Sequence, residues 1–204
     1  MNEKVFILGA GGHTRSLMAL LAHNNILPEG IYDDSFDPEI VEIIHKTAVK
    51  GKIAQLPEVG KIIISYGDLK QRARLYKAYK ERIMKENLIH PSAIIEINTE
   101  LGEANQIFGN VIINAYSIIG KNNIINTGCI IEHENEIGDN CHISIGSVLG
   151  GRVKIGDRCF IGAGATVIDK ISICDDVILG ANATVINDID SPGTYVGNPV
   201  RKIK

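Results

Sequence analysis

From Ile89 to Val185 an aliphatic residue (Ile, Leu or Val) stands at every sixth position, seventeen times in succession, with no insertion. A helix repeats near 3.6 and a half-buried strand at two, so neither produces a strict six. A fixed period of this length specifies a parallel β-helix, in which each block of six is one short strand plus a corner. Four residues after the aliphatic the chain is small or β-branched at Val111, Ser117, Cys129, Cys141, Ser147, Val153, Cys159, Ala165, Val177 and Ala183. These two columns predict an interior of aliphatic and small side chains. Composition agrees, because aromatics are 5% and Trp is absent from 204 residues. Asn and Gly recur between the columns and supply the left-handed backbone that tight corners need.

The hexapeptide pattern resembles the left-handed parallel β-helix, with three blocks to an 18-residue coil, an exception to the usual right-handed crossover. Residue n then lies one strand spacing, about 4.8 Å, from n+18. Cys129, Cys141 and Cys159 fall 12 and 18 residues apart, in register with the repeat, and Cys174 completes the set of four. No C-x-x-C pair or close Cys/His spacing marks a metal site, so the cysteines are expected to be unpaired buried thiols and no metal is expected.

Residues 1–86 read as a separate α/β domain, a Rossmann-like half-unit, ahead of a solenoid domain over 87–204. Val5-Phe6-Ile7-Leu8 is a short buried strand, followed by Gly9-Ala10-Gly11-Gly12-His13 and a helix from Thr14 to Asn24. A second strand near Gly30-Ile31-Tyr32 ends in Asp33-Asp34. A third, Lys61 to Tyr66, ends in Gly67-Asp68, and a charged amphipathic helix is expected over 69–86. A glycine turn between strand and helix can aim N–H groups at phosphate. The dinucleotide fingerprint is incomplete, since Thr14 stands at its third glycine. Only half of a dinucleotide fold is present, so a nucleotide other than NAD is expected.

The net charge of −3 argues against a general nucleic-acid binder. No apolar run approaches the roughly 20 residues of a membrane span. The opening MNEKVFILGAGGH lacks a secretory signal's long apolar region, so the expected compartment is the cytoplasm.

Of six histidines, His23 and His45 have no informative setting, and His90 precedes Pro91 at the solenoid's start. His13 sits in the glycine turn. His133 and Glu134 interrupt the solenoid with the block IEHENE. The 18-residue coil stacks Gly151 over His133 and Arg152 over Glu134. An imidazole beside a carboxylate can accept a proton near neutral pH, and a bare glycine N–H can donate to a developing oxyanion. That set suits acyl transfer to a nucleophile that attacks directly. His142 lies half a coil away, so one chain cannot bring it to the same edge as His133, whereas two packed chains can.

The opening I-L-G-A-G-G-H, the Asp33-Asp34 pair, the run I-I-E-H-E-N-E-I-G-D-N-C-H-I-S and the ending Y-V-G-N-P-V-R-K resemble the hexapeptide-repeat sugar acyltransferases. This is the family of sialic acid O-acetyltransferases and nucleotide-aminosugar N-acetyltransferases. The resemblance covers nearly the whole chain. It implies a homotrimer with active sites between subunits, His133 as general base and Glu134 as the carboxylate that enhances it. It further implies acetyl-CoA contacts at His142, Gly151, Ala163 and Ala181, and a nucleotide-sugar site at Gly11, Gly12, His13, Asp33, Asp34 and Gly67. Thr14 departs from the family's glycine after the histidine. The implied activity is acetyl-CoA-dependent N-acetylation of a nucleotide-linked 4-amino-4,6-dideoxy sugar, with UDP as the expected carrier, for surface glycan synthesis. O-acetylation of a sialic-acid-like sugar is the alternative within enzymes, and a catalytically silent nucleotide-binding scaffold is the alternative outside them.

Overall fold

The computed structural model describes residues 4–204, in two compact units, one ending at Leu88 and the other spanning Ile89–Lys204. The first unit contains β1 (Val5–Leu8), α1 (Gly12–His23), β2 (Gly30–Tyr32), β3 (Ile43–Ile44), β4 (Thr47–Gly51), β5 (Lys61–Ile64) and α2 (Leu69–Ala78). Its sheet runs β3-β4-β2-β1-β5, parallel except for the β3–β4 hairpin. Apolar spacing on α1 buries Leu17, Met18, Leu20 and Leu21, while Phe6, Ile7, Leu8, Ile62 and Ile64 form the sheet's core.

Two local readings change, and one hairpin was not anticipated. Helix α1 starts at Gly12, with Gly11 as its N-cap, two residues earlier than expected, so His13 lies in its first turn. Helix α2 stops at Ala78 instead of continuing to 86. Ile83 pairs in parallel with Ile62, and the Met84 N–H bonds the Ile62 carbonyl at 2.9 Å. Burying Ile83 and Met84 at the sheet edge requires extended chain there. The β3–β4 hairpin gave no signal, because its turn uses His45 (φ 45°) and Lys46 (φ 70°) where Gly or Asn is usual.

The second unit is a parallel β-solenoid with three faces. The first face stacks Ile94–Ile95, Ile112–Ile113, Ile130–Ile131, Val148–Leu149, Thr166–Val167 and Thr184–Val185. The second runs from Glu100–Leu101 to Ser172–Ile173. The third holds Gln106–Ile107, Ile124–Ile125, His142–Ile143, Phe160–Ile161 and Val177–Leu179, and is extended by Gly193–Val196 and Arg201–Lys202. Each rung pairs with residues 18 further on, as in Ile130↔Val148 and His142↔Phe160. The periodic aliphatics from Ile107 to Val185 point inward and are buried, with Cys129, Cys141 and Cys159 fully enclosed among them.

The corners obey the same period. Every sixth residue from Asn98 to Asn182 has positive φ, fifteen positions without a gap. On the edge between the third and first faces they are Asn110, Gly128, Gly146, Gly164 and Asn182, the residues for which this conformation is cheap. On the edge between the second and third faces they are Ala104, Asn122, Asn140, Arg158 and Asp176. On the edge between the first and second faces they are Asn98, Tyr116, Glu134, Arg152 and Lys170. A side chain other than Asn here costs about 1 kcal/mol per residue, so this edge accepts a cost that the Gly/Asn edge avoids.

Buried polar side chains tie the coils together. In one column Asn123 accepts the Cys141 N–H (2.6 Å) and donates to the Gly138 carbonyl (3.0 Å). Cys141 repeats the pattern, with its Sγ bonded to the Gly156 carbonyl at 3.0 Å and receiving the Cys159 N–H at 3.4 Å. The cysteines therefore continue an asparagine column, a role their spacing alone did not disclose. The repeated Gly-Asp pairs have a similar cause. A Cβ at Gly120, Gly138 or Gly156 would strike the carboxylate of Asp139, Asp157 or Asp175.

Candidate active site

His133 and Glu134 lie on the edge between the first and second faces, just beyond the strand Ile130–Ile131. Both are about half exposed, and His133 Nδ1 is 2.9 Å from a Glu134 carboxylate oxygen. A carboxylate only accepts, so Nδ1 carries a proton, and in the neutral form of the ring Nε2 holds the lone pair. One coil on, Gly151 is buried, and a Cβ built there would lie 2.7 Å from both Nε2 and Cε1 of His133. The imidazole therefore rests on the glycine, as the 18-residue stacking requires. The Gly151 N–H makes no hydrogen bond among the described residues.

Asn135, fully buried beneath this edge, fixes the local backbone. Its amide donates to the Glu132 carbonyl (2.5 Å) and the Gly150 carbonyl (2.9 Å), the residues just before His133 and Gly151. Sequence reasoning missed it, although Asn in the small-residue column of a hexad was the available signal.

His142 is on the third face, which lies opposite the His133 edge. Asn126 Oδ1 accepts the Thr127 N–H at 2.8 Å, which turns its NH2 toward His142 Nε2 at 3.1 Å. Nε2 is thus the acceptor and Nδ1 the protonated nitrogen of the neutral ring. The ring is nearly buried and meets Phe160 edge-on, centroids 5.0 Å apart. Ala163 and Ala181 stack on the edge between the third and first faces, where the Asn182 N–H bonds the Ala163 carbonyl at 2.8 Å. The chain brings His133, Glu134 and Gly151 together, and it holds His142, Ala163 and Ala181 apart from them.

In the first unit, the Asp33 carboxylate accepts the Ala10 N–H (2.8 Å), the Ser35 N–H (2.8 Å) and hydroxyl (2.5 Å), and the Tyr66 hydroxyl (3.3 Å). Burial works against its charge, but the Ser35, Ala10 and Tyr66 bonds win and lower its pKa. Tyr66 is pushed up to about 12, by burial first and then by the charges of Asp33 and Asp34 and the bond to Asp33. Asp34 accepts the Ile53 N–H at 3.3 Å. A Cβ at Gly11, Gly12 or Gly67 would meet nothing within 4 Å, so space is open above the turn. His13 is half-buried beside Gly11 and Gly12. Thr14 is buried, donates to the Gly9 carbonyl (2.8 Å) and accepts the Ser65 hydroxyl (2.9 Å), so it joins the ends of β1 and β5. A cavity beside Ala10 is lined by Ser35, Phe36, Asp37, Glu42 and Val49. Among the described residues, no group of three or more His, Cys, Asp or Glu could hold a metal ion, and no helix is long and apolar enough to cross a membrane.

Residues 4–79 match the PglD N-terminal domain, and residues 136–169 match the bacterial transferase hexapeptide (six repeats). No curated protein matches the chain in sequence. PerB from Caulobacter crescentus, solved in complex with CoA and GDP-perosamine, is 31% identical with a TM-score of 0.90, over 100% of this chain and 99% of that one. The acetyltransferase domain of PglB from Neisseria gonorrhoeae, in complex with acetyl coenzyme A, is 25% identical with a TM-score of 0.86, over all of both chains. WeeI from Acinetobacter baumannii, 17% identical with a TM-score of 0.72 over 98% of this chain and 99% of that one, shares the fold. With a relative above 30% identity aligned end to end, and matches in both units, the chain belongs to the hexapeptide-repeat sugar acetyltransferases, the family of sialic acid O-acetyltransferases and nucleotide-aminosugar N-acetyltransferases.

Proposed function

We propose that the protein transfers an acetyl group from acetyl-CoA to the 4-amine of a nucleotide-linked 4-amino-4,6-dideoxy sugar, in the cytoplasm, for surface glycan synthesis. The observation that carries this reading is the His133–Glu134 pair, with Nε2 set against a buried glycine whose N–H is unused. Nε2 takes the proton of the attacking amine. Glu134 holds Nδ1–H, which orients the ring and supports the positive charge it gains. The Gly151 N–H donates to the acyl oxygen as it becomes anionic. Acetyl-CoA supplies the acyl group as a thioester and leaves as the thiol. His142, Ala163 and Ala181 are the proposed residues that hold it. Gly11, Gly12, His13 and Gly67 surround the proposed phosphate site, and Asp33 and Asp34 face the nucleoside. The proposed domain boundary at 86–87, two residues before the split between the compact units, separates these two tasks.

The reading includes a homotrimer. The outward column of the first face is Ile94, Ile112, Ile130 and Val148, then Thr166 and Thr184, whereas the second face presents Glu100, Ile118, Glu136, Lys154 and Ser172. This apolar face separates the His133 edge from the Ala163–Ala181 edge. Packing it about a threefold axis sets the first edge of one chain beside the other edge of its neighbour.

UDP is the proposed carrier. GDP is the second reading, favoured by the carboxylates of Asp37 and Glu42 in the cavity beside Ala10, since guanine offers two adjacent N–H donors there and uracil only one. PerB, crystallised with GDP-perosamine, favours it too. Release of free CoA thiol with UDP-, GDP- and dTDP-linked 4-aminosugars, and with free sialic acid, tests the reading. Turnover with one nucleotide aminosugar and none with sialic acid supports it. Turnover with sialic acid alone makes the protein an O-acetyltransferase, and none at all leaves the silent scaffold.

A further inference from the structure

Arg152 stands one coil beyond Glu134, directly after the glycine that carries the His133 ring. Its φ is 60°, a conformation that the same repeat position meets with Gly or Asn on the edge between the third and first faces. Its guanidinium Nη1 lies 3.8 Å from Glu134 Oε2, the oxygen that receives His133 Nδ1–H at 2.9 Å. Stability does not account for an arginine here. The pair is about half exposed and long, the kind of ion pair that adds little to folding. Arg158, an arginine in the same conformation on another edge, has an evident structural task. It grips both carboxylate oxygens of Asp176 at 2.9 Å and also reaches Asp175 at 3.2 Å. Among the described residues the Arg152 guanidinium has instead one charged partner, a carboxylate already engaged by the histidine.

We propose that Arg152 is a positioning residue for acetyl transfer: its guanidinium fixes the Glu134 carboxylate in the orientation that receives His133 Nδ1–H, so that Nε2 stays the free nitrogen beside Gly151. The dipeptide Gly151-Arg152 is then one device laid over His133-Glu134. The glycine makes room for the ring and the arginine restrains its partner. The idea rests on the acetyltransferase reading for its kinetic arm but not for its spectroscopic one.

The test compares wild type with Arg152→Ala, Arg152→Gly and Arg152→Lys. The 15N shifts of the His133 ring report its tautomer without substrate. Wild type should hold the Nδ1–H form, Arg152→Ala should mix the two tautomers, and Arg152→Lys should restore most of the Nδ1–H population. With substrates, kcat of Arg152→Ala should fall by about 10-fold, both KM values should hold, and Arg152→Lys should recover part of the loss. Arg152→Gly should melt no lower than wild type, because glycine relieves the backbone, and should share the tautomer change. An unchanged tautomer in Arg152→Ala would overturn the proposal. So would a raised sugar-nucleotide KM at unchanged kcat, which would make Arg152 a substrate contact. If wild type acetylates no aminosugar, the functional reading fails while the tautomer comparison still decides the role of Arg152.

Discussion

Among the described residues His133 is the only imidazole on its edge, with one nitrogen committed to Glu134 and the other against Gly151. Replacing it with Ala removes the proposed general base and should lower kcat by about 10²–10⁴-fold, with the melting temperature and acetyl-CoA binding little changed. Glu134→Ala should cost less, because that carboxylate does not receive the substrate's proton. Steady-state kinetics on both variants checks the ranking, and a larger loss in Glu134→Ala would reverse the roles. Gly151→Ala places a methyl where the ring now lies, 2.7 Å from its atoms. The ring is half exposed and can swing away, so stability should hold while kcat falls at least about tenfold. Wild-type kcat in this variant would show that the ring need not rest on the glycine. These residues were legible because an uninterrupted repeat fixes which residues stack 18 apart. Arg152 and Asn135 were not read as site residues, because their parts depend on side-chain direction and hydrogen bonding at one corner, which the period does not encode.

Among the elements, the end of β2 and the turn before α1 are joined through Asp33. Asp33→Asn cannot accept from Ala10, Ser35 and Tyr66 as the carboxylate does. The sugar-nucleotide KM should rise about tenfold, the equivalent of one lost hydrogen bond, with the acetyl-CoA KM unchanged. Equal changes in both would remove the first unit from sugar binding. The carboxyl's pKa lies below its ordinary 3.8, so its stabilising contribution is present above that pH and is lost as pH falls through the lower folded value. The stability gap between wild type and Asp33→Asn should therefore stay constant near neutrality and close in acid, as urea melts across that range would show. In the solenoid, Asn123→Ala strands the Cys141 N–H and the Gly138 carbonyl and should cost about 3 kcal/mol. Asn123→Cys should cost less, because Cys141 and Cys159 already fill that column with the same bonding pattern. Denaturant melts giving equal losses would contradict this. Sequence pattern located β1, α1, β2 and β5 through their apolar runs and glycine turn. It overran α2 because amphipathic spacing continues past Ala78 while tertiary pairing of Ile83 with Ile62 draws the chain back to the sheet.

At the scale of the whole molecule, the solenoid was the most legible part, since seventeen hexads leave no other register. The relative placement of its edges was only partly so. Sequence placed His142 half a coil from His133, and the structure adds that an apolar face lies between the His133 edge and the Ala163–Ala181 edge. Acetyl transfer is proposed to occur where the His133 edge of one chain meets the Gly/Asn edge of the next. Co-expression of His133→Ala with Ala163→Trp, each carrying a different affinity tag, tests it most directly. Each variant purified alone should be nearly inactive, the first lacking the proposed base and the second blocked on the proposed coenzyme edge. A cyclic trimer retained by both tags contains one junction that joins two intact edges, so it should recover about a third of the wild-type rate per trimer. Doubly tagged trimers as inactive as their parents would contradict the account and place each complete site within a single chain.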